Sequence, residues 1–179
     1  MEKLFDDAPF VQKERPTKIT DEQEQKMYLD LATEIIKRNW CKDGDVETIA
    51  DDLSKLSIND SGFEKAKDLE DDSYVNYEFC GDFIDFLDDM SYHKNKLIDE
   101  NVKVWVKAHN PQPKLLKGTK LHIDKSLCRS KDLLKDSLVY VTGINMEKAY
   151  YTISVNKEQQ GGYVVAFEEV ENNCTQIQE

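Results

Sequence analysis

The chain has 179 residues, 39% hydrophobic and 34% charged, with seven Gly and four Pro. That length holds one domain or two small ones around a real core, and the composition excludes collagen-like and low-complexity chains. Lys and Arg number 24 against 36 Asp and Glu, a net charge of −12, and such a field repels nucleic acid and anionic membranes.

Residues 1–19 contain Pro9 and Pro16 and no sustained period, and read as a loose N-terminal arm able to dock through Leu4, Phe5, Phe10 and Val11. Thr20-Asp21-Glu22-Gln23 has the spacing of a capping box, and Met27, Leu31, Ile35, Ile36 and Trp40 follow near one helical stripe, which predicts a first helix running to Asp43-Gly44. Asp45 caps a second helix with Val46, Ile49, Ala50, Leu53 and Leu56 on its buried face. Ser61 and Glu64 form another capping-box spacing, opening a short third helix that turns Phe63, Ala66 and Leu69 inward. From Tyr74, the residues Val75, Phe79, Phe83, Phe86, Leu87 and Met90 step by three and four, the pattern of one amphipathic helix. Between 92 and 109, Val102, Val104 and Val106 alternate as in a strand, whereas Ile98, Val102, Trp105, Val106 and His109 fit a helical stripe; the helix is preferred.

Asn110-Pro111-Gln112-Pro113 disfavours either element and marks the expected domain boundary. Beyond it the period falls to two, at Leu121 and Ile123, at Leu138 to Val141, at Ala149 to Val155 and at Tyr163 to Phe167. Gly143-Ile144-Asn145 and Gln159-Gln160-Gly161-Gly162 supply turn residues, which predicts an antiparallel meander. By strand number and spacing alone, this stretch resembles a small SH3-like barrel. The expected architecture is α+β: arm 1–19, acidic α-helical domain 20–109, small antiparallel β-barrel 114–171 and tail 172–179.

The charge is unevenly placed. Residues 1–109 hold 15 Lys and Arg against 27 Asp and Glu, while residues 110–179 hold nine of each. Between 68 and 89 stand Asp68, Glu70, Asp71, Asp72, Glu78, Asp82, Asp85, Asp88 and Asp89, with no Lys or Arg. On one helix, Glu78, Asp82, Asp85 and Asp89 would form a row beside the phenylalanine stripe. Each like-charge pair there costs about 0.2–0.5 kcal/mol, which burial of Phe79, Phe83, Phe86 and Leu87 outweighs at about 1.5–3 kcal/mol each. The row therefore stands as a solvated face, as a nucleic-acid mimic for a basic partner, or as a cation site at Asp82, Asp85 and Asp89; the last lacks the twelve-residue calcium-loop pattern. Residues 114–131 reverse the sign, with Lys114, Lys117, Lys120, Lys125, Arg129 and Lys131 against Asp124. That segment either complements the acidic helix or offers a basic groove with Tyr140 or Tyr150 as a stacking platform.

No window approaches about 18 consecutive apolar residues and no basic segment precedes an apolar run, so the expected location is the cytoplasm, with no membrane contact. Cys41, Cys80, Cys128 and Cys174 form no Cys-x-x-Cys pair, and Cys41 and Cys80, beside apolar stripes, read as buried inert thiols. His93, His109 and His122 lie in separate segments, and no nucleophile elbow, zinc-protease, phosphate-loop or dinucleotide motif is present. Non-enzymatic protein binding without a cofactor is the expected function. The acidic segment docks on a basic partner, as in an inhibitor or immunity-type protein of bacterial or phage origin, and direct nucleic-acid binding is disfavoured. The expected contacts are Glu78, Asp82, Asp85, Asp88, Asp89, Asp71 and Asp72, with Tyr74, Tyr77 and Tyr92 as aromatic anchors. An adaptor binding through Tyr150, Tyr163 and the 159–162 loop, and a metal-dependent hydrolase using the acidic cluster, are the alternatives.

Overall fold

The structure is a computed structural model that describes residues 14–125, 127, 136–159 and 161–177. The arm positions Leu4, Phe5, Phe10 and Val11, together with Cys128, Arg129 and Lys131, lie outside the described residues. The chain divides into two compact units, one ending at Asn101 and the other beginning at Val102.

The first unit is helical. Helix α1 (Asp21–Lys37) opens on the expected capping box, with the Gln23 N–H donating to Thr20 Oγ1 at 3.2 Å and the Thr20 N–H to Gln23 Oε1 at 3.1 Å. It stops short of Asp43-Gly44, because Asn39 adopts φ 56° and turns Trp40 back into the core. Helix α2 (Val46–Lys55) starts where Asp45 Oδ1 accepts the Thr48 N–H at 2.8 Å. Helix α3 (Gly62–Asp72) carries the Ser61–Glu64 capping box.

The buried face of α3 differs from expectation. Phe63 is 69% exposed, and Lys65, at 1%, takes the inward position beside Ala66 and Leu69. Its Nζ donates to the Asp60 carbonyl at 2.5 Å, so the stem packs while the ammonium finds an oxygen at the helix start. Met27, Leu31 and Ile35 of α1, Ile49 and Leu53 of α2, Leu69 of α3 and Trp40 share one core with Phe83, Leu87 and Met90.

The helix expected from Tyr74 onward forms only from Gly81, as α4 (Gly81–Asp88). Residues 74–80 leave the helical path instead, bending at Tyr74 and Val75 before the bridged stretch around Tyr77, because the backbone at 40–43 competes for their hydrogen bonds. The Glu78 N–H donates to the Trp40 carbonyl at 2.7 Å and the Lys42 N–H to the Asn76 carbonyl at 2.9 Å, around a bridge between Cys41 and Tyr77. Helix α5 (Met90–His109) follows after Asp89, and its helical stripe prevails over the valine alternation: Val102 and Trp105 are buried while Val104 is exposed. The division between the units falls inside α5, ahead of the proline-containing segment.

The second unit holds β1 (Lys120–Ile123), β2 (Leu138–Asn145), β3 (Tyr150–Ser154), β4 (Tyr163–Ala166), α6 (Phe167–Asn173) and β5 (Cys174–Gln176). The strands form one antiparallel sheet in the order β4-β3-β2-β1-β5, so the expected meander is extended by a C-terminal strand. The expected barrel does not close: β4 and β5 are opposite edges of an open sheet. Helix α6 joins them and puts Phe167 and Val170 against Leu121, Ile123, Val139, Val141, Tyr151, Ile153 and Val165. Val155 and Phe167, expected in strands, fall outside them. Gly143-Ile144-Asn145 continues β2 through an irregularity in register between Val141 and Gly143, and the turn lies beyond it. Part of the expected C-terminal tail is thus the end of α6 and β5.

Candidate functional site

Helix α4 is anchored by its aromatic side. The Phe83 ring centroid lies 5.3 Å from Trp40, 5.8 Å from Tyr77, 5.9 Å from Phe79 and 6.4 Å from Phe86. Phe83 and Leu87 are fully buried, which leaves Asp82, Asp85, Asp88 and Asp89 at the surface. Gly81 follows an N-cap Cys80 that makes no side-chain capping bond, so tertiary packing rather than local capping holds this short helix.

The structure separates the acids that sequence spacing had joined. Glu78 is not on the helix; it lies in the extended segment, 3.3 Å from Lys42 Nζ. The single row from Glu78 to Asp89 is therefore absent. Asp88 faces α3, where its Oδ1 accepts the Gly62 N–H at 2.5 Å. Asp82, Asp85 and Asp89 remain on one side of α4 and share a shallow surface groove of about 560 Å³ with Glu34, Arg38, Phe86 and His93.

None of Asp82, Asp85 and Asp89 forms an ion pair among the described residues. Arg38, the cation of the groove, is taken by Glu34 at 2.6 Å and lies 4.8 Å over the Trp40 ring. Hydrogen bonds from Arg38 and then Lys37 hold the Glu34 carboxyl below the usual range. Asp82 lies in the first turn of α4, where the helix dipole favours a negative charge, while Asp89 stands between the C-terminal end of α4, whose dipole opposes it and whose last turn has no basic residue, and the start of α5, whose dipole favours it.

The expected aromatic anchors divide in the same way. Tyr74 is fully exposed and Tyr92 largely so. Tyr77 is turned inward: its hydroxyl donates to Asp52 Oδ2 at 3.1 Å, an oxygen that also receives the Ser73 hydroxyl, and burial followed by the Asp52 charge raises its pKa. It braces the unit and presents little surface. Asp71 and Asp72 are exposed at the end of α3 without an ion-pair partner among the described residues.

Elsewhere the expected sites are weaker. His109 Nδ1 donates to the Trp105 carbonyl at 3.0 Å and its ring stacks on that indole, a structural role. His122 Nδ1 lies 2.8 Å from Asp124. Cys80 is exposed rather than buried, and Cys41 is partly buried, its thiol pushed up by burial and by Asp43. Of the basic segment, Lys114 pairs with Glu171 at 2.8 Å. Lys157 Nζ lies 6.0 Å from the Tyr140 ring, a contact that the sequence did not suggest. Among the described residues no group of three or more His, Cys, Asp or Glu is gathered to hold a metal ion, and no helix is long and apolar enough to cross a membrane. No family model, curated protein or solved structure matches the chain.

Proposed function

We propose that this is a non-enzymatic protein-binding protein that docks the exposed side of α4 on a basic surface of another macromolecule, in the manner of an inhibitor or immunity-type protein of bacterial or phage origin. One observation carries the reading: Asp82, Asp85 and Asp89 share a groove and lack an ion pair among the described residues, while Glu78 and Asp88 are engaged within the fold. Three like charges at helical spacings of three and four repel one another, and a cationic partner relieves that repulsion on docking. At about 1.5 Å rise per residue they fall at intervals of about 5 Å, on the scale of the phosphate ladder of a nucleic-acid strand.

Complementary potentials of this kind raise the association rate and select the partner. Tyr74, fully exposed and close in sequence to Asp71 and Asp72, supplies an amphipathic ring of the type that anchors interfaces. The test compares the wild-type chain with a D82K/D85K/D89K variant as bait in cell extract, followed by reconstitution with the purified partner. The reading expects a partner with a basic surface, captured by the wild type, displaced by nucleic acid and lost with the variant. Equal capture by both baits overturns it.

A further inference from the structure

The open edge of the sheet has features that the acidic helix does not explain. Among the described residues, strand β4 is hydrogen-bonded to β3 alone, and its sequence, Tyr163-Val164-Val165-Ala166, contains no charge and no proline. Edge strands are commonly blunted by Lys, Pro or a bulge, and β4 carries none of these; its shortness is its only guard. Val164, 63% exposed, is the most exposed of its residues.

The phase of the ladder shows which backbone groups remain open. The Phe167 N–H donates to the Ala149 carbonyl at 3.0 Å, in register with the pairs Tyr151–Val165 and Ile153–Tyr163. In an antiparallel ladder, alternate pairs exchange both hydrogen bonds. Tyr163 and Val165 therefore spend their N–H and C=O groups on β3, and those of Val164 point to the open side, as does the Ala166 N–H. Gly162, just before the strand, is fixed against β3: a Cβ there would lie 2.2 Å from the Ile153 carbonyl oxygen.

We propose that β4 is a self-association edge that pairs antiparallel with β4 of a second copy of this chain about a two-fold axis at Val164. Only a register centred on a residue keeps the two core faces on one side, because directly opposed residues share a face. Centring on Val164 lets its N–H and C=O bond reciprocally to Val164 of the second copy and sets each Ala166 N–H opposite the other copy's Gly162 carbonyl. The two valine side chains meet on the outer face. A second copy suits this edge because the pairing is self-complementary under two-fold symmetry, and because residues 110–179 carry nine cations and nine anions, so this part of the chain does not repel itself. The repulsion between copies resides in the acidic helical part and is screened by salt. Salt thus strengthens this association, whereas it weakens docking of Asp82, Asp85 and Asp89 on a basic partner.

The test is sedimentation of the full chain over a rising concentration series at low and high salt, with Val164→Pro and Val164→Lys as variants. Proline removes only an outward N–H, a substitution tolerated on edge strands, and lysine places like charges at the axis, so both keep β4 on β3; circular dichroism melts check the fold. The expected result is a wild-type mass that climbs from 20.8 kDa toward the dimer, more readily at high salt, while both variants stay monomeric. A wild type that remains monomeric throughout, or variants that associate like wild type, overturns the proposal. Loss of association in the D82K/D85K/D89K chain also overturns it, since the contact would then run through α4.

Discussion

The Asp88 carboxylate accepts the first backbone N–H of α3, that of Gly62, and a Cβ on Gly62 would lie 2.1 Å from the Ile84 carbonyl oxygen and 3.0 Å from Asp88 Cγ. The start of α3 thus sits directly on α4. Gly62→Ala forces the two helices apart and is expected to destabilise the protein by about 1–3 kcal/mol, the range for overpacking. Asp88→Ala, which leaves the Gly62 N–H without its acceptor, lowers stability less. Urea denaturation of both variants checks the order.

Neutralising the neighbouring acids acts in the opposite direction. Asp82, Asp85 and Asp89 make no ion pair within the described fold, so Asn at these positions removes like-charge repulsion of about 0.2–0.5 kcal/mol per pair, which offsets the helix-dipole stabilisation lost at Asp82. The triple Asn variant is expected to melt at or slightly above the wild-type temperature while losing affinity for the basic partner. A variant that melts well below wild type assigns the three carboxylates to the fold, against their role as a docking surface.

The second unit has its own polar clasp. The Tyr151 hydroxyl donates to Glu171 Oε1 at 3.0 Å and accepts the Leu115 N–H at 3.0 Å, and Lys114 Nζ reaches Glu171 Oε2 at 2.8 Å. The segment after the prolines is thereby fastened to β3 and α6. Tyr151→Phe strips one partner from each of two partly buried groups, with an expected loss of about 1–3 kcal/mol. Amide exchange at Leu115 should quicken more than exchange in the core of the sheet, a difference that a general loss of packing would not produce.

Much of this architecture is legible in the sequence because its signals are local. Thr20, Asp45 and Ser61 cap helices where their spacing indicates, and the strand period locates β1 to β4. The failures share a cause: a distant segment decides the outcome. Residues 74–80 carry a helical stripe, but the backbone of 40–43, with Asp43 accepting from both Asn76 nitrogens at 2.7 and 2.9 Å, draws them off the helical path. Glu78 leaves the acidic row for that reason, and Tyr77 turns inward. Phe63 and Lys65 exchange roles because α4 and the Asp60 carbonyl, neither visible in a helical wheel, set the environment of α3. The open sheet accompanies a short helix that carries Phe167 and Val170 into the core, and Phe167, which continues the strand period of Tyr163 and Val165, gives no sign of it.

Alkaline stability provides a test of the inward Tyr77. Burial and the Asp52 carboxylate raise its pKa above the ordinary tyrosine value of about 10. Burial and Glu171 act on Tyr151 in the same direction, against the opposing Leu115 N–H. A group whose folded-state pKa is raised releases its proton more readily when unfolded, so its contribution to stability is complete below the unfolded pKa and declines as pH rises above it. The protein is therefore expected to hold its melting temperature up to about pH 8 and to lose it progressively at higher pH, first through the thiols of Cys41 and Cys174, which burial also pushes up, and then through the tyrosines. Tyr77→Phe removes one of these contributions and leaves those of Tyr28, Tyr151, Cys41 and Cys174. It should lower stability at neutral pH, where the hydrogen bond to Asp52 is lost, and flatten the alkaline decline; a decline as steep as that of wild type would assign the titration to other groups.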